Sequence, residues 1–380
     1  MSLKAAVIGV GFVGRAHVEA LRRLGIPIQG VLGSSLDRTQ QTVRALNLPR
    51  AYASLEELAA DKSVDVVHVC TPNHLHLPET QASLQAGKHV MCEKPLAMNS
   101  AESATLVDLA RKHSLVGAVT YNLRYYPLCQ EAHALVERGV IGEPRLIYGG
   151  YLQDWLFYAN DWNWRLDPKL GGAMRAVADI GTHWMDLVSW ISGRHLTELC
   201  ADLATVIPVR QKPVGPVESF KQTAGPTTPV QMTTDDYASI LLHFEKGVRG
   251  VLTVSQVSAG RKNRMWFEIV GSEGSLAWNA EDPSLLWIGS RKEANRSLIK
   301  DPSLMSPQAR GYAAYPGGHV EGYPDTFVQL FKDLYAYIEA GDLKAPRSFP
   351  TFETGHHEVR LCELIAKSAQ ERRWIEVADK

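Results

Sequence analysis

The sequence predicts an α/β chain in two parts: a doubly wound parallel sheet at the N-terminal end, then an α+β domain built on a large, mainly antiparallel open sheet. Three observations predict it. In the first third, short apolar runs alternate with stretches of helical spacing. A glycine-rich turn, Gly9-Val10-Gly11-Phe12-Val13-Gly14, joins the first run to the first helix. Beyond Pro144 the runs lengthen and come in pairs joined by glycine-containing turns. Near-continuous apolar strands separated by helices imply a parallel sheet covered on both faces, whereas paired runs imply hairpins. A chain of 380 residues exceeds one ordinary core and suggests two domains.

The elements follow in order. Leu3–Ile8 reads as a strand, and Phe12–Leu24 as a helix through Val13, Ala16, Ala20, Leu21 and Leu24. Ile28–Leu32 is the second strand and Thr39–Leu46 the second helix. Val64–Cys70 is a strand rich in β-branched residues, followed by a helix through Pro78–Ala86. His89–Cys92, a helix over Ser100–Lys112 and a strand over Val116–Thr120 complete the first domain, with a boundary in Tyr121–Pro127. Residues 1–124 are therefore expected to form the first domain, and residues 125–380 the second, whose terminal helix packs back on the first. In that second part Pro144–Trp155 is strand-like, Tyr237–Phe244 with Val248–Val257 reads as a hairpin, and Met265–Val270 with Ser275–Trp278 as another. Helices are expected at Thr182–Ser192, Asp325–Glu339 and Glu353–Ala369, and a short strand at Trp374–Val377. Pro213–Thr234, rich in Pro, Gly and Thr, reads as a long surface loop.

Composition narrows the function classes. Hydrophobic residues make up 45% and charged residues 21%, which excludes a disordered chain. With 40 Lys+Arg against 41 Asp+Glu the net charge is −1, so no basic balance points to nucleic acid. Charges, Gly or Pro interrupt every apolar stretch before membrane-spanning length. Met1-Ser2-Leu3-Lys4 runs straight into a strand pattern without the layout of a signal peptide. The expectation is a soluble, cytoplasmic protein with neither membrane nor nucleic-acid partner. Five cysteines, odd in number and without a C-x-x-C pair, argue against a disulfide framework or a zinc site; no metal is expected.

The glycine turn carries the first functional signal. G-x-G-x-x-G after a strand and before a helix serves a tight turn, close approach of backbone to a pyrophosphate, and close helix–strand packing. The helix N-terminus then offers free N–H groups to the phosphates. Gly9, Gly11, Phe12, Val13 and Gly14 are thus cofactor candidates. The acid usually found about 20 residues on, bonding a ribose 2′-hydroxyl, is missing. The second strand runs instead into Gly33, Ser34 and Ser35, with Asp37 and Arg38 later. Serine hydroxyls and an arginine accept a 2′-phosphate, so the cofactor is NAD(P), leaning to NADP. The alternative is that Asp37 caps the second helix and Arg38 is merely solvated.

In open α/β sheets ligands lie beyond the carboxyl ends of the strands. Two strands there end in polar clusters, Thr71-Pro72-Asn73-His74-Leu75-His76 and Glu93-Lys94-Pro95. Thr71, Pro72, Asn73, His76, Glu93 and Lys94 would face the nicotinamide end. Taken singly, Glu93-Lys94 could be a surface ion pair, and Asn73 and His76 helix-start caps.

Together G-x-G-x-x-G, T-P-N-x-x-H, E-K-P and the later Asp179-Ile180-Gly181-Thr182-His183-Trp184-Met185-Asp186 resemble the Gfo/Idh/MocA family of NAD(P)-dependent oxidoreductases over nearly the whole chain. The resemblance implies that Lys94 sits between the nicotinamide and the reacting oxygen. It also implies that His183 is the general acid/base and that Asp179 positions substrate or histidine. The chemistry agrees: oxidising a secondary alcohol needs a proton acceptor that titrates in the histidine range, and a cation to stabilise alkoxide. Asp179, His183 and Asp186 share one face if the segment is helical. Otherwise Asp179 is a helix cap and His183 an interior histidine. Arg124 and Tyr125 after the fifth strand, Trp164 and Arg165 in an aromatic-polar loop, and His319 between glycines are further substrate candidates, the aromatic faces suiting sugar C–H surfaces. The loop tryptophans could equally anchor the loop to the sheet, and His319 could be an exposed loop histidine.

The function expected is hydride transfer between nicotinamide C4 and a hydroxyl- or carbonyl-bearing carbon of a sugar, polyol or related small molecule. Two alternatives stand beside it. One is a cofactor-binding regulator without turnover; the other is an enzyme using tightly held NAD(P) for transient oxidation, giving epimerisation or elimination. The resemblance also implies that residues 1–124 are the NAD(P)-binding domain and residues 125–380 the substrate-binding and oligomerisation domain, and with the open sheet face it predicts a homodimer or homotetramer through the C-terminal sheet.

Overall fold

The computed structural model describes residues 3–215 and 225–377. Two compact units emerge. The first gathers residues up to Asn122 with Lys169–Gly172 and Pro324–Arg360; the second gathers Leu123–Pro168, Ala173–Tyr323 and the chain from Leu361.

In the first unit the elements run β1 (Ala5–Ile8), α1 (Phe12–Arg23), β2 (Ile28–Leu32), α2 (Leu36–Leu46), α3 (Leu55–Ala60), β3 (Val66–Val69), α4 (His76–Gln85), β4 (His89–Cys92), α5 (Ser100–Lys112) and β5 (Gly117–Val119). The strands are parallel and ordered β2-β1-β3-β4-β5. Every residue of β1, β3 and β5 is buried, as expected of strands with helices on both faces. Helix starts follow local chemistry: Ser35, Ser54 and Asn99 accept backbone N–H bonds at α2, α3 and α5. The strand order reverses between β1 and β3, which places the open crevice of the sheet at their carboxyl ends.

The chain continues through α6 (Pro127–Glu137), β6 (Pro144–Leu152), α7 (Pro168–Gly171), α8 (Thr182–Ser192), β7 (Leu196–Ala204), β8 (Val209–Pro213), β9 (Thr227–Gln231), β10 (Tyr237–Phe244), β11 (Arg249–Ser255), β12 (Arg264–Gly271), β13 (Gly274–Asn279), β14 (Leu285–Ser290), β15 (Arg296–Ile299), α9 (Tyr323–Ala340), α10 (Phe352–Glu371) and β16 (Ile375–Glu376). Among the described residues, β6, β7 and β10 to β16 build a nine-stranded sheet in the order β15-β14-β13-β12-β6-β11-β10-β7-β16. Only the β6–β11 pair is parallel. Burial alternates along β10 and β12, so one face packs on α6 and α8 while the other stays open. Gly149 is required by this packing. A Cβ there would lie 2.6 Å from the Trp184 indole nitrogen, which donates to Trp266 O at 2.8 Å.

Two expectations change. Pro213–Thr234 is not all loop: β9 lies inside it and pairs with β8, while residues 216–224 of that stretch fall outside the described residues. Pro324–Arg360 clusters with the first unit, because Phe327 and Phe331 of α9 pack against His17 and His68.

Candidate active site

The glycine turn closes β1 onto α1 at the point where the strand order reverses. Gly9 has φ +88°, and a Cβ on it would sit 2.5 Å from Cys70 O, so the turn is pressed against the end of β3. A Cβ on Gly14 would lie 1.8 Å from Gly9 O, the close helix–turn contact the motif demands. Gly11 differs: a Cβ there would meet nothing within 4 Å. Its glycine keeps space open toward solvent, not toward the chain. No side chain caps α1 at Gly11 and its first turn holds no acid, so the N-terminal dipole is free for an anion. Phe12, 55% exposed, and half-buried Val13 flank that opening.

At the end of β2, Ser34, Ser35 and Arg38 are all exposed. Ser35, not Asp37, is the cap of α2, its Oγ accepting from the Arg38 N–H at 3.4 Å. Asp37 stands in the first turn, where its charge favours the helix dipole.

After β3, half-buried Thr71 donates its hydroxyl to Glu79, whose carboxyl burial pushes up to about 7. Pro72 precedes Asn73, which is buried and donates to Gly171 O at 2.7 Å. His76 is wholly buried, with Nδ1 2.8 Å from Pro95 O and Nε2 2.9 Å from Thr71 O. It ties the loop after β3 to the E-K-P corner after β4. That corner has a cis Lys94–Pro95 peptide. Glu93 is buried there and Lys94 is half-buried.

In the second unit, Asp179 lies in a π-helical turn, Val177–Gly181, immediately before α8, which carries His183 and Asp186. Asp235 secures the start of this turn by accepting the N–H groups of Arg175 at 2.6 Å and Val177 at 2.9 Å. The Asp179 carboxylate is held from two sides. Arg165 Nε donates to Oδ1 at 3.0 Å, and Gln256 Nε2 to Oδ2 at 2.7 Å. Gln256 is itself oriented by Arg175, which donates to its Oε1 at 2.7 Å and pairs with buried Asp236. A carboxylate whose two oxygens are each bound by a donor suits positioning better than proton abstraction. His183 is 7% exposed, its ring 6.4 Å from that of buried Tyr151, whose hydroxyl donates to Asn263 at 2.7 Å.

The remaining candidates separate. Arg124 gives its guanidinium fork to buried Asp186, with 2.8 Å from Nε to Oδ2; burial pushes that carboxyl up against the pull of the arginine. Tyr125 is 1% exposed and meets Tyr312 edge-on. Trp162 is buried with Leu156, Leu166 and Met232 and anchors its loop, while half-buried Trp164 stacks under Arg165 at 4.3 Å. His319 is exposed in its glycine loop. The structure thus brings Asp179 together with Arg165 in the second unit, and the turn after β1 together with the loops after β3 and β4 in the first. Gln256, Arg175, Asp235, Asp236 and Tyr151 escaped sequence reasoning. The Asp235-Asp236 pair ahead of a strand was the one local signal for them. Among the described residues no group of three His, Cys, Asp or Glu side chains could hold a metal ion, and no helix is long and apolar enough to cross a membrane.

A parallel sheet with an open glycine turn at its switch point defines a dinucleotide-binding protein of the Rossmann class. Comparison with known proteins narrows this. Residues 3–121 match the oxidoreductase family with an NAD-binding Rossmann fold, and residues 129–277 the GFO/IDH/MocA C-terminal domain. Levoglucosan dehydrogenase of Pseudarthrobacter phenanthrenivorans is 28% identical over 99% of this chain and 98% of its own. A structure of levoglucosan dehydrogenase in complex with NADH and levoglucosan superposes with a TM-score of 0.89 at 27% identity over the whole of both chains. An inositol dehydrogenase homolog from Azotobacter vinelandii, complexed with NAD+, gives 0.86 at 25% identity over 99% of this chain and 97% of that one. The chain belongs to the Gfo/Idh/MocA family of oxidoreductases and carries its NAD-binding Rossmann domain.

Proposed function

We propose that this protein is a dehydrogenase that moves hydride between a nicotinamide dinucleotide and a secondary alcohol carbon of a sugar or polyol. The open space at Gly11, facing an uncapped α1 N-terminus, carries the reading, because it is where a pyrophosphate needs both room and N–H donors. The names of the relatives, levoglucosan dehydrogenase and myo-inositol 2-dehydrogenase, support the substrate class. The dinucleotide, when bound, supplies the hydride acceptor at nicotinamide C4. The turn Gly9, Gly11, Phe12, Val13 and Gly14, with Thr71, Pro72, Asn73, His76, Glu93 and Lys94, holds it. Asn73 and His76 serve by bracing the loops, as their bonds to backbone carbonyls indicate.

Oxidation of an alcohol carbon releases a hydride and a hydroxyl proton. His183 accepts the proton, Lys94 stabilises the alkoxide charge, and Asp179 positions the reacting groups while Arg165 and Gln256 hold its carboxylate in place. Trp164 offers an aromatic face to the ring carbons, and Arg124, Tyr125, Arg165 and His319 complete the substrate candidates. Ser34, Ser35 and Arg38 favour NADP; the NADH bound in the similar levoglucosan dehydrogenase structures favours NAD. Titration with NADPH and NADH separately, followed by nicotinamide fluorescence, decides between them. Lys94→Ala or His183→Ala should abolish turnover while cofactor affinity stays within about twofold; turnover that survives would overturn the assignment. Cofactor retained through extensive dialysis would instead favour transient oxidation.

We also propose that the open sheet face pairs subunits. The register lines up Leu241, Val251, Tyr148, Glu268, Ala277 and Trp287 in one row across it, and Leu241 is 52% exposed. Leu241→Glu should yield a monomer in sedimentation; an unchanged oligomer would rule this face out.

A further inference from the structure

A buried chain of polar side chains crosses the first unit behind the E-K-P corner. Glu93 Oε1 is 3.1 Å from His17 Nε2, His17 Nδ1 is 2.9 Å from His68 Nδ1, and His68 Nε2 is 3.0 Å from the Tyr335 hydroxyl. Both histidines are fully buried, and Tyr335 is 4% exposed. An aromatic cage fixes the ring planes: Phe331 lies 4.8 Å from the His17 ring and 4.7 Å from the His68 ring, and Phe327 lies 5.3 Å from His17.

We infer that His17, His68 and Tyr335 are positioning residues that hold the Glu93 carboxylate, and with it the corner bearing Lys94, in one fixed arrangement. The inference rests on the proposed dehydrogenase reading. Hydrogen-bond chemistry dictates the direction of the chain. A carboxylate only accepts, so the proton of His17 sits on Nε2. With its one ring proton at Nε2, His17 presents a lone pair at Nδ1, which His68 fills from its own Nδ1–H. His68 in turn has a lone pair at Nε2, which the phenol O–H fills. Each atom then finds its partner.

The charged and titratable surroundings agree. Burial pushes the Glu93 carboxyl up, but the hydrogen bond from His17, with Lys94 nearby, outweighs it and holds the group below its ordinary range. Cys70 at the end of β3 and Cys92 on β4 stay thiols, raised by burial. Burial keeps His68 neutral. Burial, with Asp65 as the charged neighbour, keeps Tyr335 a phenol. At its other oxygen Glu93 lies 3.3 Å from the Lys94 backbone N–H, so its orientation is passed to the residue that bears the reactive amine.

Two measurements test this on the intact protein. With 15N-labelled histidine, NMR should find His17 protonated at Nε2 and His68 at Nδ1, signals identified by their loss in His17→Gln and His68→Gln. The opposite tautomers would overturn the chain whatever the protein catalyses. The second is kcat compared with KM. His17→Leu removes the donor to the carboxylate, which should lower kcat about tenfold while KM stays within about twofold. Tyr335→Phe, which keeps the ring, should lower kcat the same way by less. His17→Gln should restore most of the wild-type kcat, since its amide oxygen accepts from His68 and its N–H donates to Glu93. Folded variants with an unchanged kcat would reduce the chain to structural filling. A wild-type protein with the stated tautomers but no alcohol oxidation would instead sink the dehydrogenase reading.

Discussion

Replacing Gly11 by alanine separates cofactor binding from folding. The position has φ −72° and ψ −161°, which any L residue adopts, and its added methyl would touch nothing in the chain. Alanine is a poorer helix cap than glycine, a loss of about 0.5–1 kcal/mol, but it also removes about 0.4–1 kcal/mol of unfolded-state freedom. The two nearly cancel, so the melting temperature should stay within a few degrees. The methyl stands, however, where the pyrophosphate must approach the backbone N–H groups. Losing one hydrogen bond to a charged group costs about 1.5–3 kcal/mol, or roughly tenfold to a hundredfold in Kd. Nicotinamide fluorescence titration of the wild type and Gly11→Ala measures this directly. Gly14→Ala is the control, since its Cβ would meet a backbone oxygen at 1.8 Å and should cost stability first. Unchanged cofactor affinity in a stable Gly11→Ala protein would refute the placement of the pyrophosphate at this turn.

Other consequences follow from the charges the fold buries. Glu79 titrates at about 7 instead of 4.5 because burial disfavours its charge. It therefore binds more protons folded than unfolded between those values, and stability should fall by about 3 kcal/mol as pH rises from 4.5 to 7; in Glu79→Gln, urea midpoints should lose that part of the slope. Arg124→Met strands Asp186 at 3% exposure and should cost about 3–5 kcal/mol at pH 7, most of it recovered in the double variant with Asp186→Leu. Gln256→Leu leaves an Asp179 oxygen and an Arg175 N–H without the bonds they make here. We expect about 2 kcal/mol of lost stability in urea and a fall in kcat larger than any rise in KM.

Much of the first unit was legible because its signals are local. An apolar strand, a glycine turn and a helix of 3.6-residue spacing are each contained within a dozen residues, and strand β4 and helix α5 fall at the residues their patterns indicate. Helices α3 and α6, the edge strand β15 and its neighbour β14 were not read. Short or mixed patterns take their structure from what they pack on, not from their own periodicity.

The site divides the same way. Sequence by itself determined the chemical inventory: the glycines at the switch point, the E-K-P lysine, and an aspartate and histidine four residues apart. Tertiary structure alone decided where each polar group spends its bonds. Arg124, read as a substrate contact, gives its fork to an aspartate 62 positions away, and Asp179 is gripped by a glutamine 77 positions on. Tyr335 meets His68 across 267 positions, closing a chain that no spacing rule could reveal. Burial is the reason: once water is excluded, each donor and acceptor must find a partner inside the fold, and which partner is near depends on packing and not on sequence distance.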